Sequence, residues 1–318
     1  MLVLITGGAG RLGTNVCKIL LRDGYQVRVF DLDTPRNRKS VKELGRGAEI
    51  LWGDITSSGL VRKAMEGVGA VVHMAGILPP LADEKPELAA KVNVGGTAVV
   101  VDLIKENGGH IPFVFTSSVA VFGPTPGAMR PISADKDDPQ PKDMYGKTKL
   151  QAEALIKGSG IDYVILRLSA SMYTVFEPSD VRRMFTIPLN NRVEMCHPDD
   201  VALAILNAIK NFEAAKGNTL VVSGGPTQRM LYRDMLNGIL GVLKLPTPPA
   251  NKFVQEPYYL DWYDTGKSQE LLRFQQKTFG DYLQDYSRAL SRKFSPLFLP
   301  FMCYFVGPLF GKAIVRFM

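Results

Sequence analysis

The chain has 318 residues, 46% hydrophobic and 22% charged, enough to bury a sizeable core in one large or two modest domains. With 30 Gly, 21 Pro and no fixed-period self-similarity, the composition excludes disorder, coiled coil, collagen-like and solenoid architectures as the main plan. The net charge of +7 invites a nucleic-acid reading, but Arg288, Arg292, Lys293, Lys312 and Arg316 all follow the last acidic residue, Asp285, so the body before them is nearly neutral and no nucleic-acid partner is expected.

Met1-Leu-Val-Leu-Ile-Thr-Gly opens as a buried strand, with neither a basic leader nor a small-residue cleavage site, so no secretory signal is expected. Leu2 to Ile5 reads as a strand, Leu12 to Arg22 as a helix with Leu12, Val16, Ile19 and Leu20 on one face, and Gln26 to Asp31 as a second strand. The alternation continues through Glu49 to Trp52, Val61 to Met65, Ala70 to Met74, Leu88 to Asn107 and Phe113 to Ser117. It predicts an α/β fold, a Rossmann-type doubly wound parallel sheet with helices on both faces. A proline-rich loop from Gly123 to Pro141 precedes a helix beginning near Met144. Strands Tyr163 to Leu168 and Thr219 to Val222 bracket a helix from Pro198 to Phe212 and complete the sheet. From about Gly224 the character changes, with helices at Leu231 to Leu243 and Gly280 to Arg292 around a second proline-rich loop. The expected division is a dinucleotide-binding domain of residues 1–168 plus 196–223, a smaller, mostly helical substrate domain of 169–195 plus 224–292, and a tail of 293–318.

The first strand ends in Thr6-Gly7-Gly8-Ala9-Gly10-Arg11-Leu12-Gly13, which opens the first helix. Gly7, Gly10 and Gly13 supply a tight turn, close approach of backbone to a pyrophosphate, and close helix-to-strand packing, with Arg11 and Leu12 beside the phosphates at the positive helix end. Asp31 closes the second strand some twenty residues later, where a carboxylate accepts from ribose hydroxyls and repels a 2′-phosphate. NAD is therefore expected over NADP, against the opposing pull of Arg11, Arg36 and Arg38.

Tyr145 and Lys149 stand four residues apart on one helix face, where an ammonium favours the phenolate and draws its pKa toward the working range. Thr116, Ser117 and Ser118 end a strand on the same sheet edge as the glycine turn. The same hydroxyls also suit local bonding to the turn backbone.

Together these pieces resemble the extended short-chain dehydrogenase/reductases of the NAD-dependent epimerase/dehydratase family. The matching segments are Thr6 to Gly13, Asp31, Gly53-Asp54-Ile55, His73-Met-Ala-Gly76, Val92-Asn93 with Gly96-Thr97, Ser117-Ser118 with Val121-Phe-Gly123, Tyr145 with Lys149, Leu166-Arg167, and His197 to Ala202. The resemblance implies that Asp54 and Ile55 flank the adenine and that Ala75, Gly76, Asn93 and Thr116 lie along the cofactor. It further implies that Lys149 bonds the nicotinamide ribose, Ser118 is the catalytic hydroxyl and Tyr145 the acid/base. The implied activity is reversible hydride transfer at a secondary alcohol or ketone of a small molecule. The alternatives are a nucleotide-sugar 4-epimerase with tightly held NAD and a non-catalytic, cofactor-bound docking or assembly protein. Val119 and Ala120 stand where the family's dehydratases carry an acidic pair, so dehydration is not expected. Ser171-Met-Tyr-Thr174 replaces the usual Tyr-Gly-Pro after the Leu-Arg strand, and Phe122 the usual tyrosine before Gly123.

His73, His110 and His197 form no metal-ligand spacing and are read as structural, with no metal expected. Asp199 and Asp200 follow Pro198 at a helix start and suit its positive end. The aromatic run Tyr258 to Asp264 is read as core or substrate-domain wall. Cys17, Cys196 and Cys303, an odd and scattered set, fit a reducing cytoplasm. Residues 294–311 carry no charge between Arg292-Lys293 and Lys312, while Pro300, Gly307, Pro308 and Gly311 oppose a spanning helix. That layout suits either peripheral contact of residues 294–318 with the inner face of a membrane or packing against the body or a partner subunit. A homodimer is the expected assembly by resemblance.

Overall fold

The computed structural model describes residues 1–174 and 183–293, so the expected tail contact of residues 294–318 lies outside the described residues. Seven parallel strands form one sheet: β1 (Leu2–Thr6), β2 (Gln26–Asp31), β3 (Ala48–Trp52), β4 (Ala70–His73), β5 (Phe113–Ser118), β6 (Tyr163–Leu168) and β8 (Thr219–Val222), in the order β3-β2-β1-β4-β5-β6-β8. A separate antiparallel ladder joins β7 (Arg192–Glu194) to β9 (Arg229–Leu231). The sheet reverses its winding between β1 and β4, and ligands of open α/β sheets gather at the carboxyl ends of strands beside such a switch.

The helices are α1 (Arg11–Arg22), α2 (Pro35–Val41), α3 (Ser58–Met65), α4 (Leu81–Glu84), α5 (Pro86–Ala89), α6 (Gly96–Glu106), α7 (Met144–Lys157), α8 (Pro198–Lys210), α9 (Phe212–Ala215), α10 (Tyr232–Val242), α11 (Gly266–Leu272) and α12 (Phe279–Lys293). Both sheet faces are covered, which explains strands such as β4 and β5 that are buried at every residue. On one face α1 and α8 pack Val16, Leu20, Ile205 and Ile209 against Val3, Ile5, Val114 and Leu166. On the other, α3, α6 and α7 supply Val61, Val100, Ile104, Ala152 and Ile156 against Leu4, Val71, Phe115 and Ile165. A third cluster joins Met235, Leu236 and Ile239 of α10 to Tyr282 and Tyr286 of α12 and to Phe122, Val193, Leu260 and Tyr263. The helical character expected after Gly224 is present, and the 258–264 run packs into the core: Leu260 and Tyr263 are buried, while Tyr258 and Tyr259 stack at 4.3 Å.

Several elements differ from the sequence expectation. The helix expected as one piece from Leu88 to Asn107 is α5, a π-helical turn at Ala90–Gly95, and α6. The wider turn carries Asn93, whose buried amide bonds groups outside the helix, a common use of a π-bulge. The helix from Pro198 stops at Lys210, where the Asn211 amide bonds Leu271 O and α9 starts in a new direction. Helices α2 and α11 and the β7·β9 ladder carry too few periodic apolar positions to stand out in the sequence.

His73 is fully buried and links three elements: Thr6 Oγ1 lies 2.6 Å from Nδ1, and Thr97 Oγ1 lies 3.0 Å from Nε2. The Thr97 hydroxyl donates to Asn93 O, so it accepts from Nε2–H, and Nδ1 accepts from Thr6: the imidazole is neutral. Burial pushes the His73 pKa down to about 3, with the Lys149 charge adding to the shift. The unfolded chain then binds the extra proton as pH falls from about 6.5 toward 3, so folding stability drops across that window. At pH 4.5 the loss assignable to His73 is about 2–3 kcal/mol. Urea unfolding at pH 7 and pH 4.5 measures it: the stability difference between the wild-type chain and His73→Asn should shrink by about that amount at the lower pH.

Candidate active site

The glycine turn sits where β1 meets α1. A Cβ on Gly13 would stand 2.4 Å from Gly7 O, and one on Gly7, at φ +73°, would stand 2.7 Å from Ala75 N. Neither position tolerates a side chain, so α1 approaches β1 and the turn approaches β4 more closely than any other residue allows. A Cβ on Gly10 would meet only Gly7 O, at 3.2 Å, which leaves the first turn of α1 approachable by a phosphate. The Arg11 guanidinium stacks 4.4 Å from the centroid of Tyr173, and Leu12 packs into the core beneath.

The Asp31 carboxylate accepts from Ala9 N at 3.0 Å, from Leu32 N at 2.8 Å and from Asn37 Nδ2 at 3.1 Å. It thereby ties the second strand to the glycine turn, and burial holds its pKa above the usual carboxylate value despite those donors. Arg38, one of the cations set against the NAD expectation, is paired with Asp33 through two hydrogen bonds. Its charge is answered before any ligand arrives.

Ser118, Tyr145 and Lys149 meet at the carboxyl edge of the sheet. Helix α7 starts with Asp143 as its cap, whose side chain accepts from Gly146 N at 2.6 Å. A Cβ on Gly146 would stand 2.6 Å from Ala120 O, so this glycine lets the helix start lie directly on the turn that follows Ser118. Tyr145 is thus brought beside the Ser118 side chain, whose Oγ accepts from Ala120 N at 3.1 Å. One turn on, Lys149 Nζ donates to Thr116 O at 2.8 Å, 5.9 Å from the Tyr145 ring centroid and 4.7 Å from that of Phe115. A Cβ on Gly76 would stand 3.7 Å from Lys149 Nζ, and Ala75 borders Gly7, so the ammonium and the glycine turn flank the same short segment after β4.

The electrostatics correct one expectation. Burial pushes the Tyr145 phenol up to about 12; the neighbouring Ser118 hydroxyl and the Arg183 charge lower it, and Asp143 raises it further. Burial also draws Lys149 down to about 8, partly offset by Glu153. The ammonium lies beside the ring and bonds a backbone carbonyl, so desolvation outweighs its help and the resting phenol keeps its proton.

Other expected site residues have other partners. Asn93 Oδ1 accepts from Ile77 N at 2.6 Å, and its Nδ2 donates to Ile77 O at 3.1 Å and Thr148 Oγ1 at 3.0 Å, so it clamps the loop after β4 to α7. Asp54 Oδ1 accepts from Thr56 N and Thr56 Oγ1, both at 2.9 Å, within its own turn. Ile55 is buried against Gly96. Of the strand hydroxyls, Thr116 donates to His73 O and Ser117 to Glu153, leaving Ser118 for Tyr145. The imidazole of His197 caps α8, accepting from Asp199 N, whereas Asp200 accepts from Gln276 N and Lys277 N and anchors that loop. Sequence reasoning missed Tyr259 and Ile77, which pack on the cluster around Tyr145, and Asn37, which bonds Asp31. Only Asn37, six residues past Asp31, carried a local signal.

The profile of the "NAD dependent epimerase/dehydratase family" matches residues 3–223. An uncharacterized protein, y4nG, of Sinorhizobium fredii is 35% identical over 227 residues, 66% of this chain and 54% of that protein. The D-erythronate dehydrogenase of Cupriavidus necator is 29% identical over 184 residues, 53% of this chain and 54% of the enzyme. The chain thus spans about half the length of these curated relatives. A short-chain dehydrogenase/reductase superfamily protein from Agrobacterium tumefaciens, solved with bound NAD, superimposes with a TM-score of 0.76 at 23% identity, covering 92% of this chain and 98% of that one. With its parallel seven-stranded sheet and a profile match over most of its length, the chain belongs to the NAD dependent epimerase/dehydratase family.

Proposed function

We propose that the protein is an NAD-dependent oxidoreductase acting reversibly at a secondary alcohol or ketone, with Ser118, Tyr145 and Lys149 as its reacting groups. The observation that carries the reading is the gathering of Ser118, Tyr145 and Lys149 at the end of β5, with the Lys149 ammonium bonded to Thr116 O one turn on from Tyr145 and close to Gly76. Gly7, Gly10 and Gly13 form a cradle that a Cβ would fill, and it fits a dinucleotide pyrophosphate on the α1 terminus. Asp31 and the paired Arg38 favour ribose hydroxyls over a 2′-phosphate. Bound there, NAD or NADH supplies the hydride acceptor or donor.

The residues of the chain hold the substrate oxygen and move its proton. Ser118 holds the oxygen against Tyr145; the phenol, protonated at rest, donates its proton to a ketone oxygen, or its phenolate removes one from the alcohol. Lys149 stabilises the phenolate left after donation and presents its remaining hydrogen-bond donors to the ribose. Residues 1–168 plus 196–223 form the dinucleotide half, and 169–195 plus 224–292 the substrate half. Ile77, Ala82, Ala120 and Tyr259 pack apolar groups around Tyr145, which favours an apolar alcohol or ketone as the substrate.

Three outcomes check this. Calorimetric titration should show NAD binding at least about tenfold tighter than NADP, and Asp31→Ser should narrow the gap. Turnover of a ketone panel with NADH should fall about 10²- to 10⁴-fold in Tyr145→Phe, with the dissociation constant for NAD within about threefold of wild type. Ketone reduction should hold level near neutrality and decline above about pH 8, as Lys149 loses its proton. Nucleotide that stays with the protein through purification and is freed only by denaturation would instead indicate the recycling cofactor of an epimerase.

A further inference from the structure

Beneath the reacting groups lies a charged cluster that the proposed chemistry does not use. Glu153 stands one helical turn beyond Lys149 on α7, and Arg167 projects from β6; they are 1% and 2% exposed. Glu153 Oε1 accepts from Ser117 Oγ at 2.6 Å and from Arg167 Nε at 3.0 Å, and Oε2 accepts from Arg167 Nη2 at 2.8 Å. The Arg167 guanidinium also lies over the Phe122 ring, 4.8 Å from its centroid. One carboxylate therefore faces two buried cations, Arg167 through direct bonds and Lys149 through space.

We infer that Glu153 is a positioning residue with two tasks, anchoring the hydroxyl-bearing end of β5 to α7 and balancing the charge of Lys149 against that of Arg167. The anchor follows from Ser117, whose neighbour Ser118 faces Tyr145: the carboxylate that fixes one serine fixes the backbone carrying the other. The balance follows from the surroundings of Lys149. His73 of β4 is neutral, Tyr145 is protonated, and Thr116 and Phe115 of β5 carry no charge, so the charge acting on Lys149 is that of Glu153, to which Arg167 is bonded. Lys157 touches the outer side of the carboxylate at 3.6 Å, and Tyr163 feels its charge from β6. Removing the carboxylate leaves two buried cations together, and the ammonium is the one able to shed a proton. Removing the guanidinium leaves Lys149 as the buried cation facing the carboxylate, and it then holds its proton more tightly.

This builds on the reading of Lys149 as a reacting group, but its test does not need turnover. The full chain, labelled with ¹⁵N-lysine, is titrated while the Lys149 Nζ signal is followed, assigned by its loss in Lys149→Met. The midpoint should fall by about one pH unit or more in Glu153→Gln, rise by a similar amount in Arg167→Met, and return to within about half a unit of wild type in the double variant. A merely structural cluster moves both single variants in the same direction or neither, and that result overturns the inference. Should Glu153→Gln fail to fold, Glu153→Asp decides: a smaller fall is expected, and an unchanged or raised midpoint overturns it. NAD binding, measured on the same samples, separates the two ideas. Opposite midpoint shifts without NAD binding leave the inference standing and sink the functional reading, whereas NAD binding without the shifts does the reverse.

Discussion

A buried chain of hydrogen bonds holds the cleft together. It runs from Thr6 at the end of β1 through His73 on β4 to Thr97 on α6, then through Asn93 in the π-helical turn to Ile77 and to Thr148 on α7. Each link lies on a different element, so the glycine turn, the loop after β4 and the Tyr145 helix are fixed relative to one another by side chains rather than by the sheet alone. Such a chain is stable in an apolar interior only when every member is satisfied. The neutral imidazole satisfies both threonines, and the π-helical turn aims the Asn93 amide at its acceptors. The irregularity in the helix is thus what lets the chain reach α7.

The same interior decides how Tyr145 and Lys149 rest. Water is largely excluded around Tyr145 and Lys149, so each leans toward its neutral form: the phenol holds its proton and the lysine gives one up more readily than in water. The apolar contacts around Tyr145 come from Ile77, Ala82, Ala120 and Tyr259, segments far apart in sequence.

Much of the fold was legible because a doubly covered parallel sheet writes itself as short apolar runs separated by amphipathic helices. All seven strands of the sheet fall where the sequence placed them, to within two residues at each end. The glycine spacing, Asp31, and the Tyr145 and Lys149 pair were legible because their meaning is local: a turn, a strand end, one face of a helix. What escaped depends on distant pairing. The clamp made by Asn93 joins partners 16 and 55 positions away. Tyr259 joins the Tyr145 cluster from 114 positions downstream. The direction of the phenol's pKa also escaped, because spacing shows that a cation is near but not that both groups are buried.

The two-stranded ladder bears on how this scaffold can be altered. Strand β7 precedes β8 in the chain and β9 follows it, so the strand pair closes around a passage through the main sheet. Glu194 at the end of β7 then receives Arg229 from β9 as well as the backbone of Gly225 and Tyr263. The segments on either side of β8 therefore behave as halves of one part. A graft that carries a new binding wall in from a relative must bring both together, since either alone would leave an open strand edge and a buried carboxylate stripped of its partners.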